Sequence, residues 1–133
     1  MAIKTASILL DATIAFSAGT AKALTFLTQA SASELIAFFN GTDFRTRFEA
    51  KFTSVMPYKK KDAPNGYSQN TRKCLLKFPK TLANGNITIN TAEIIIRTDV
   101  ETTDAEQNTY RNTVAQMAWD SDFDGFWKSG SLD

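Results

Sequence analysis

The sequence predicts an α+β domain with an antiparallel sheet. Two observations point there. Apolar and polar residues alternate with period two through much of residues 5–100, and after Val100 the spacing turns helical. Asn65-Gly66 and Asn84-Gly85 punctuate the first part as turns. The length of 133 residues, 43% apolar and 22% charged, suits a single globular domain over 1–133, without linkers, repeats or low-complexity tracts.

Residues 5–28 are rich in Thr, Ile, Leu and Phe around Ser17-Ala18-Gly19, so an N-terminal hairpin is expected over about 1–30. The start superficially resembles a leader, but Asp11 interrupts its apolar stretch and the alternation reads as a strand. Antiparallel sheet is expected over about 31–100. Ser31 and Glu34 form a capping-box pattern, yet the apolar run ends at Gly41, which favours a short strand over a helix. From Phe44 to Phe52 the alternation is cleanest: Phe44, Thr46, Phe48, Ala50 and Phe52 share one parity, while Arg45, Arg47, Glu49 and Lys51 share the other. Pro57 closes that strand, and residues 58–70 form a polar connection.

A strand from Arg72 to about Lys80 puts Cys74, Leu76 and Phe78 on one face and Lys73, Leu75 and Lys77 on the other. The Asn84-Gly85 turn leads into a long strand from Ile87 to Val100, with Thr91 and Glu93 on the charged parity. Two helices are expected over about 103–130. Thr103 and Glu106 form a capping box, with Tyr110, Val114, Met117 and Ala118 as the apolar stripe. Phe123, Phe126 and Trp127 mark a second, short helix that Gly130 can end. Two short helices are a small lid for about five strands, so a dimer in which each partner's helices cover the other's sheet is expected.

The composition excludes much chemistry. There is no histidine, which removes histidine bases and ligands, and the single Cys74 cannot form an intrachain disulfide or a cysteine cluster. Asp120, Asp122, Asp124 and Gly125 imitate the start of a calcium loop, but Ser131 stands where the bidentate Glu would be, and capping explains these acids better than metal or catalysis. No cofactor is implied, and no apolar run is long enough to span a bilayer.

Charge is segregated although the net value is only +1. Residues 45–80 carry ten basic residues against Glu49 and Asp62, whereas residues 93–133 carry three against nine acids. A basic block on one sheet parity would steer a polyanion to that face. Lys59-Lys60-Lys61 would either touch that polyanion or belong to a mobile, solvated loop.

Taken together, the order of elements, QNTRKCLLKFPK (Gln69 to Lys80), DFRTRFEAKF (Asp43 to Phe52), TDAE (Thr103 to Glu106) and GTAKAL (Gly19 to Leu24) resemble the coat proteins of single-stranded RNA bacteriophages, the leviviruses. The resemblance covers most of the chain. It implies an N-terminal hairpin, a five-stranded antiparallel sheet and two helices interlocking across a dimer. It further implies assembly of dimers into an icosahedral shell with the sheets facing a single-stranded RNA genome. The virion would then be its location, with assembly in the bacterial cytoplasm. RNA contacts carry over onto Arg45, Arg47, Glu49 and Lys51, onto Lys73, Leu75 and Lys77, and onto Thr91 beside Glu93. Many relatives also repress translation by binding one RNA hairpin. Here Lys73, Leu75 and Arg47 replace much of the polar pocket that reads an adenine, and the connection after Lys80 is short. Bulk genome binding is therefore expected ahead of operator reading.

Two other classes compete. A cellular RNA- or single-strand-binding module without a shell would show exposed aromatics on the basic face. A small enzyme would need a carboxylate pair such as Asp122 and Asp124.

Overall fold

The period-two alternation is realised as five antiparallel strands in sequence order: β1 Thr25–Ser31, β2 Glu34–Phe39, β3 Phe48–Val55, β4 Asn70–Thr81 and β5 Ile87–Thr98. The computed structural model describes residues 3–133. These gather into two units, Gly19–Val100 and the N-terminal residues to Ala18 with Glu101–Asp133. Within 31–40 the short apolar run forms β2, while Ser31 ends β1 and the next two residues make the turn.

Register decides the two faces of the sheet. Ala37 pairs with Ala50, Ala50 with Leu76, and Leu76 with Ala92. Leu35, Phe52, Cys74 and Ile94 form the next row on that face. Phe39, Phe48 and Phe78 form a third, in which Phe39–Phe48 and Phe48–Phe78 meet edge to face at centroid distances of 5.6 and 5.0 Å. This face is apolar, but little of it is buried within the chain. Ala37 and Ala50 are only 3% and 1% exposed, whereas Phe52 is 39% and Ile94 42% exposed.

The start of β3 differs from expectation. The strand foreseen from Phe44 begins only at Phe48, because residues 44–46 form a turn. Asp43 holds it: its Oδ1 accepts from the Arg45 N–H at 3.0 Å, and its carbonyl accepts from Thr46 and Arg47 at 3.0 and 2.8 Å. Left-handed backbone at Asn40 and Gly41 detaches this turn from β2. Strand β4 runs through Pro79, which pairs with Ile89. The β3 ladder ends at Glu49↔Lys77, so Pro79 has a neighbour on one side only, where a missing N–H is tolerated.

The loop between β3 and β4 is tied together by hydrogen bonds. Lys59 bridges Tyr67, the Lys60 N–H donates to the Gly66 carbonyl at 2.8 Å, and the Asn65 amide donates to Asp99 Oδ1 at 2.8 Å.

In the second unit, α1 spans Asp104–Trp119 behind a complete capping box. The Glu106 N–H donates to Thr103 Oγ1 at 3.2 Å, and the Thr103 N–H donates to Glu106 Oε2 at 2.9 Å. Asp120 caps a 3-10 turn, Ser121–Phe123, and α2 runs over Asp124–Ser129 to Gly130 at φ 72°. Phe123 is 6% exposed, but Trp119 is 89% and Trp127 60% exposed.

The N-terminal hairpin is a correction. Residues 6–24 contain no strand, and the hairpin of the fold is β1–β2; Met1 and Ala2 of the expected segment lie outside the described residues. Asp11 and Ala18 adopt φ 59° and 60°, which interrupts any extended run. The peptide groups near Leu9 and Ala12 are satisfied by α1 instead. Gln116 accepts from the Leu9 N–H at 3.0 Å and donates to its carbonyl at 2.7 Å, and Asn112 donates to the Ala12 carbonyl. Thr109 adds a bond to Asp11 Oδ1 at 3.1 Å.

Thr103→Ala removes the cap acceptor and is expected to lower stability by about 1 kcal/mol. Thr103→Ser restores it. Urea denaturation followed by circular dichroism reads both.

Candidate nucleic-acid interface

The second parity of the sheet collects the charged side chains. One row is Phe38, Glu49, Lys77 and Thr91; the next is Ile36, Lys51, Leu75 and Glu93; the third is Glu34, Thr53, Lys73 and Ile95. Of the residues carried over from the sequence, Glu49, Lys51, Lys73, Leu75, Lys77 and Thr91 therefore share one face. Arg45 lies off the strand in the turn, and Arg47 sits in the bend just before β3.

The face is mixed rather than purely cationic, because β2 and β5 bring in carboxylates. Lys51 pairs with Glu34 at 3.5 Å, Lys73 with Glu93 at 2.7 Å, and Arg47 with Glu49 at 3.3 Å. The sequence marked Glu49 and Glu93. It did not mark Glu34, whose place depends on a β2–β3 register that local patterning does not reveal. The two lysine pairs are partly exposed, and such pairs contribute about 0–1 kcal/mol each. They orient the lysines without locking them, and phosphate can compete for the amines.

Arg47 is held differently. Its guanidinium lies 4.4 Å from the Phe38 ring centroid, its side chain is 14% exposed, and its buried Nε has no hydrogen-bond acceptor. Arg45 is exposed, with Nε 3.9 Å from Asp43 Oδ1. Lys77 makes no ion pair.

At this end of the face an open cleft of about 370 Å³ is lined by Arg45, Arg47, Lys77 and Glu49. Its apolar wall is Phe44, Pro79, Ile87 and Ile89. Parity placed Phe44 among core residues, but the Asp43 turn releases it from the strand and leaves it 74% exposed. The Asp43-Phe44 step after Gly41 was the one signal of that turn.

Among the described residues no cluster of His, Cys, Asp or Glu could hold a metal ion, and no helix is long and apolar enough to cross a membrane. Asp122 and Asp124 are each engaged by another partner. Asp122 Oδ2 accepts from the Ser7 N–H at 3.4 Å, and Asp124 pairs with Lys128 at 2.7 Å.

No family model and no curated protein matches the chain. Solved structures do. The subunit in the virus-like particle of bacteriophage GQ-907 superposes with a TM-score of 0.87 at 25% identity, over 99% of this chain and 100% of that one. The chain has the levivirus coat-protein fold. The virus-like particle of Wenzhou levi-like virus 4 aligns with a TM-score of 0.70 at 13% identity, covering 87% of this chain and 81% of that one. That of bacteriophage AVE019 aligns with 0.65 at 11%, covering 84% and 87%. At those identities the last two speak for the coat fold alone. The likeness to the GQ-907 subunit sets the chain among structural capsid proteins.

Within the coat fold, Cys74 belongs to the apolar parity, between Phe52 and Ile94. Burial raises its thiol pKa above the ordinary value. Less thiolate is present at any pH below that raised value, so iodoacetamide should modify Cys74 more slowly than free cysteine at pH 8. The rate should climb with further alkalinity, and unfolding in urea should abolish the difference.

Proposed function

We propose that the chain is the coat subunit of an RNA bacteriophage: it dimerises, closes into an icosahedral shell and packages single-stranded RNA against the charged sheet face. The observation that carries this reading is the two-sided sheet. One face is apolar and incompletely covered, and the other is charged, with its cationic excess at the end where Arg45 and Arg47 join Lys77. Among the described residues only Ala37, Ala50 and Phe123 are buried apolar side chains, and no large side chain is fully buried. A chain of this size ordinarily buries about two thirds of its extended surface. Its missing core is supplied by other copies, as in obligate oligomers whose interfaces resemble a core cut in half.

Two features favour dimerisation. β5 is an edge strand of twelve residues, exposed along almost its whole length. Edges of that length pair readily with another chain. The α1 stripe is also unfinished, since Tyr110 and Met117 are each 44% exposed. Helices of one subunit covering the apolar sheet face of its partner would satisfy both surfaces. The single 1–133 unit of function is then the dimer. Shell assembly draws its support from the likeness to the virus-like particle of bacteriophage GQ-907. The subunit would reside in the virion after assembly in the bacterial cytoplasm.

RNA binding rests on the residues of the charged face. Lysines on adjacent strands neutralise phosphates and release counterions, which needs no sequence readout. A hairpin-specific repressor role would use the same face, but Lys73 and Leu75 offer less base-edge chemistry than phosphate attraction. One observation favours a shell-free single-strand-binding module instead: Phe44 is an exposed aromatic at the basic end. The whole-chain likeness to a capsid subunit outweighs it.

Negative-stain microscopy of the purified chain should show closed shells of uniform size; their absence under all assembly conditions sinks the capsid reading. Phe52→Glu places a charge on the apolar face and should abolish dimers in light scattering. Thr53→Glu, on the opposite face, should leave them intact. Affinity for single-stranded RNA should fall steeply with salt, about tenfold or more between 50 and 200 mM. Glu93→Gln frees Lys73 and should tighten binding a few-fold at low salt, whereas Lys73→Gln should weaken it.

A further inference from the structure

We infer that the cleft at the Lys77 end of the sheet is a nucleotide subsite, which takes one unpaired base of single-stranded RNA against Phe44, Ile87 and Ile89 and its phosphate on Lys77 and Arg45. The inference rests on the RNA-binding reading above and goes beyond it by assigning a base contact to particular side chains.

Three observations meet at this place. The first is apolar surface where a charged face has no reason to show it. Phe44, Ile87 and Ile89 are 74%, 42% and 55% exposed, and all three line the cleft. Solvated sheet faces are ordinarily polar, and an aromatic ring beside aliphatic side chains offers a flat apolar surface to a π-face. The second is available positive charge. In the middle of the sheet each lysine is engaged by a carboxylate, Lys51 by Glu34 and Lys73 by Glu93. Among the described residues Lys77 makes no ion pair, and Arg45, 3.9 Å from Asp43 and 5.9 Å from the Phe44 ring centroid, has its side chain two thirds exposed. The third is a rigid wall. Arg47 is fixed between Glu49 and the Phe38 ring, so Glu49 is already engaged and its repulsion of an incoming phosphate is reduced.

The volume, about 370 Å³, falls at the small end of ligand-sized clefts, which run from about 300 to 1,000 Å³. The lining offers few groups positioned to read base edges, so the subsite grips a base by stacking and is tolerant of its identity. A duplex would present no free base face to Phe44, which is why the occupant is single-stranded.

The test compares a short unstructured RNA with an abasic chain of the same length and phosphate content, by fluorescence anisotropy on the intact protein. Stacking is worth about 1–3 kcal/mol per base, so the base-bearing RNA should bind about tenfold more tightly than the abasic one. Phe44→Ala should erase that preference without changing the salt slope, and Phe44→Trp should keep it. Because Phe44 is largely exposed, the alanine variant should retain the wild-type melting temperature. Lys77→Gln should weaken both ligands alike and reduce the salt slope by about one. Equal binding of base-bearing and abasic RNA by the wild type overturns the subsite while leaving phosphate-driven RNA binding in place. A base preference that survives Phe44→Ala overturns it too. Failure to bind either ligand at low salt overturns the RNA reading and the subsite together.

Discussion

Everything on this chain depends on how β3 is held between β2 and β4. Ala50 faces Ala37 on one side and Leu76 on the other, and the two alanines are among the most buried side chains of the sheet. Because side chains alternate with period two, this register assigns every other residue in the sheet. A slip of one residue would turn Phe48 and Phe52 toward the charged face and Glu49 and Lys51 toward the apolar one. The Phe39–Phe48–Phe78 edge-to-face row opposes such a slip, since each ring is seated against the next. The division between an apolar face and a charged face is thus a consequence of strand pairing.

That division explains why the chain leaves its apolar residues so poorly covered. A five-stranded meander has one apolar layer and needs a second layer to bury it. In a protein built to remain a monomer, Phe52 and Ile94 would be liabilities, as would a long bare edge at β5. In a subunit whose stable form is an oligomer, the same surfaces supply the binding energy. In such a subunit folding and association would be one process, with the core completed only on association. The ion pairs on the opposite face add little to that stability. Their partly exposed geometry makes them adjustable pairs rather than structural ties.

Most of the sheet was legible in the sequence because alternation is local information. Phe48 to Phe52, Arg72 to Lys80 and Ile87 to Thr98 form strands close to where their patterns place them, and Thr103 announced α1 through its capping box. What escaped depended on distant partners or on single backbone angles. The alternation over residues 5–18 is genuine, but left-handed Asp11 and Ala18 prevent a strand, and the amide side chains of Asn112 and Gln116 about a hundred positions away take up its hydrogen bonds. Phe44 obeys the parity of its neighbours and still leaves the strand, because Asp43 prefers a turn. Glu34 reached the charged face through register alone. The candidate RNA residues were thus largely gathered as expected, while the counter-charges and the cleft wall were not.

The distribution of those counter-charges bears on where RNA would lie. Along the central rows a phosphate must displace Glu34 or Glu93 to gain a lysine, and it meets their repulsion at close range. Screening at physiological salt acts over about 8 Å, too long to hide a carboxylate adjacent to the amine. At the Lys77 end no such exchange is needed, and the apolar wall beside it rewards a base that leaves its stack. A strand crossing the face would be held firmly at this end and loosely over the paired rows. Under the proposed packaging role, loose contact over most of the sheet would accommodate RNA of any sequence. One firm contact per subunit, repeated through a closed shell, would give that accommodation a regular spacing.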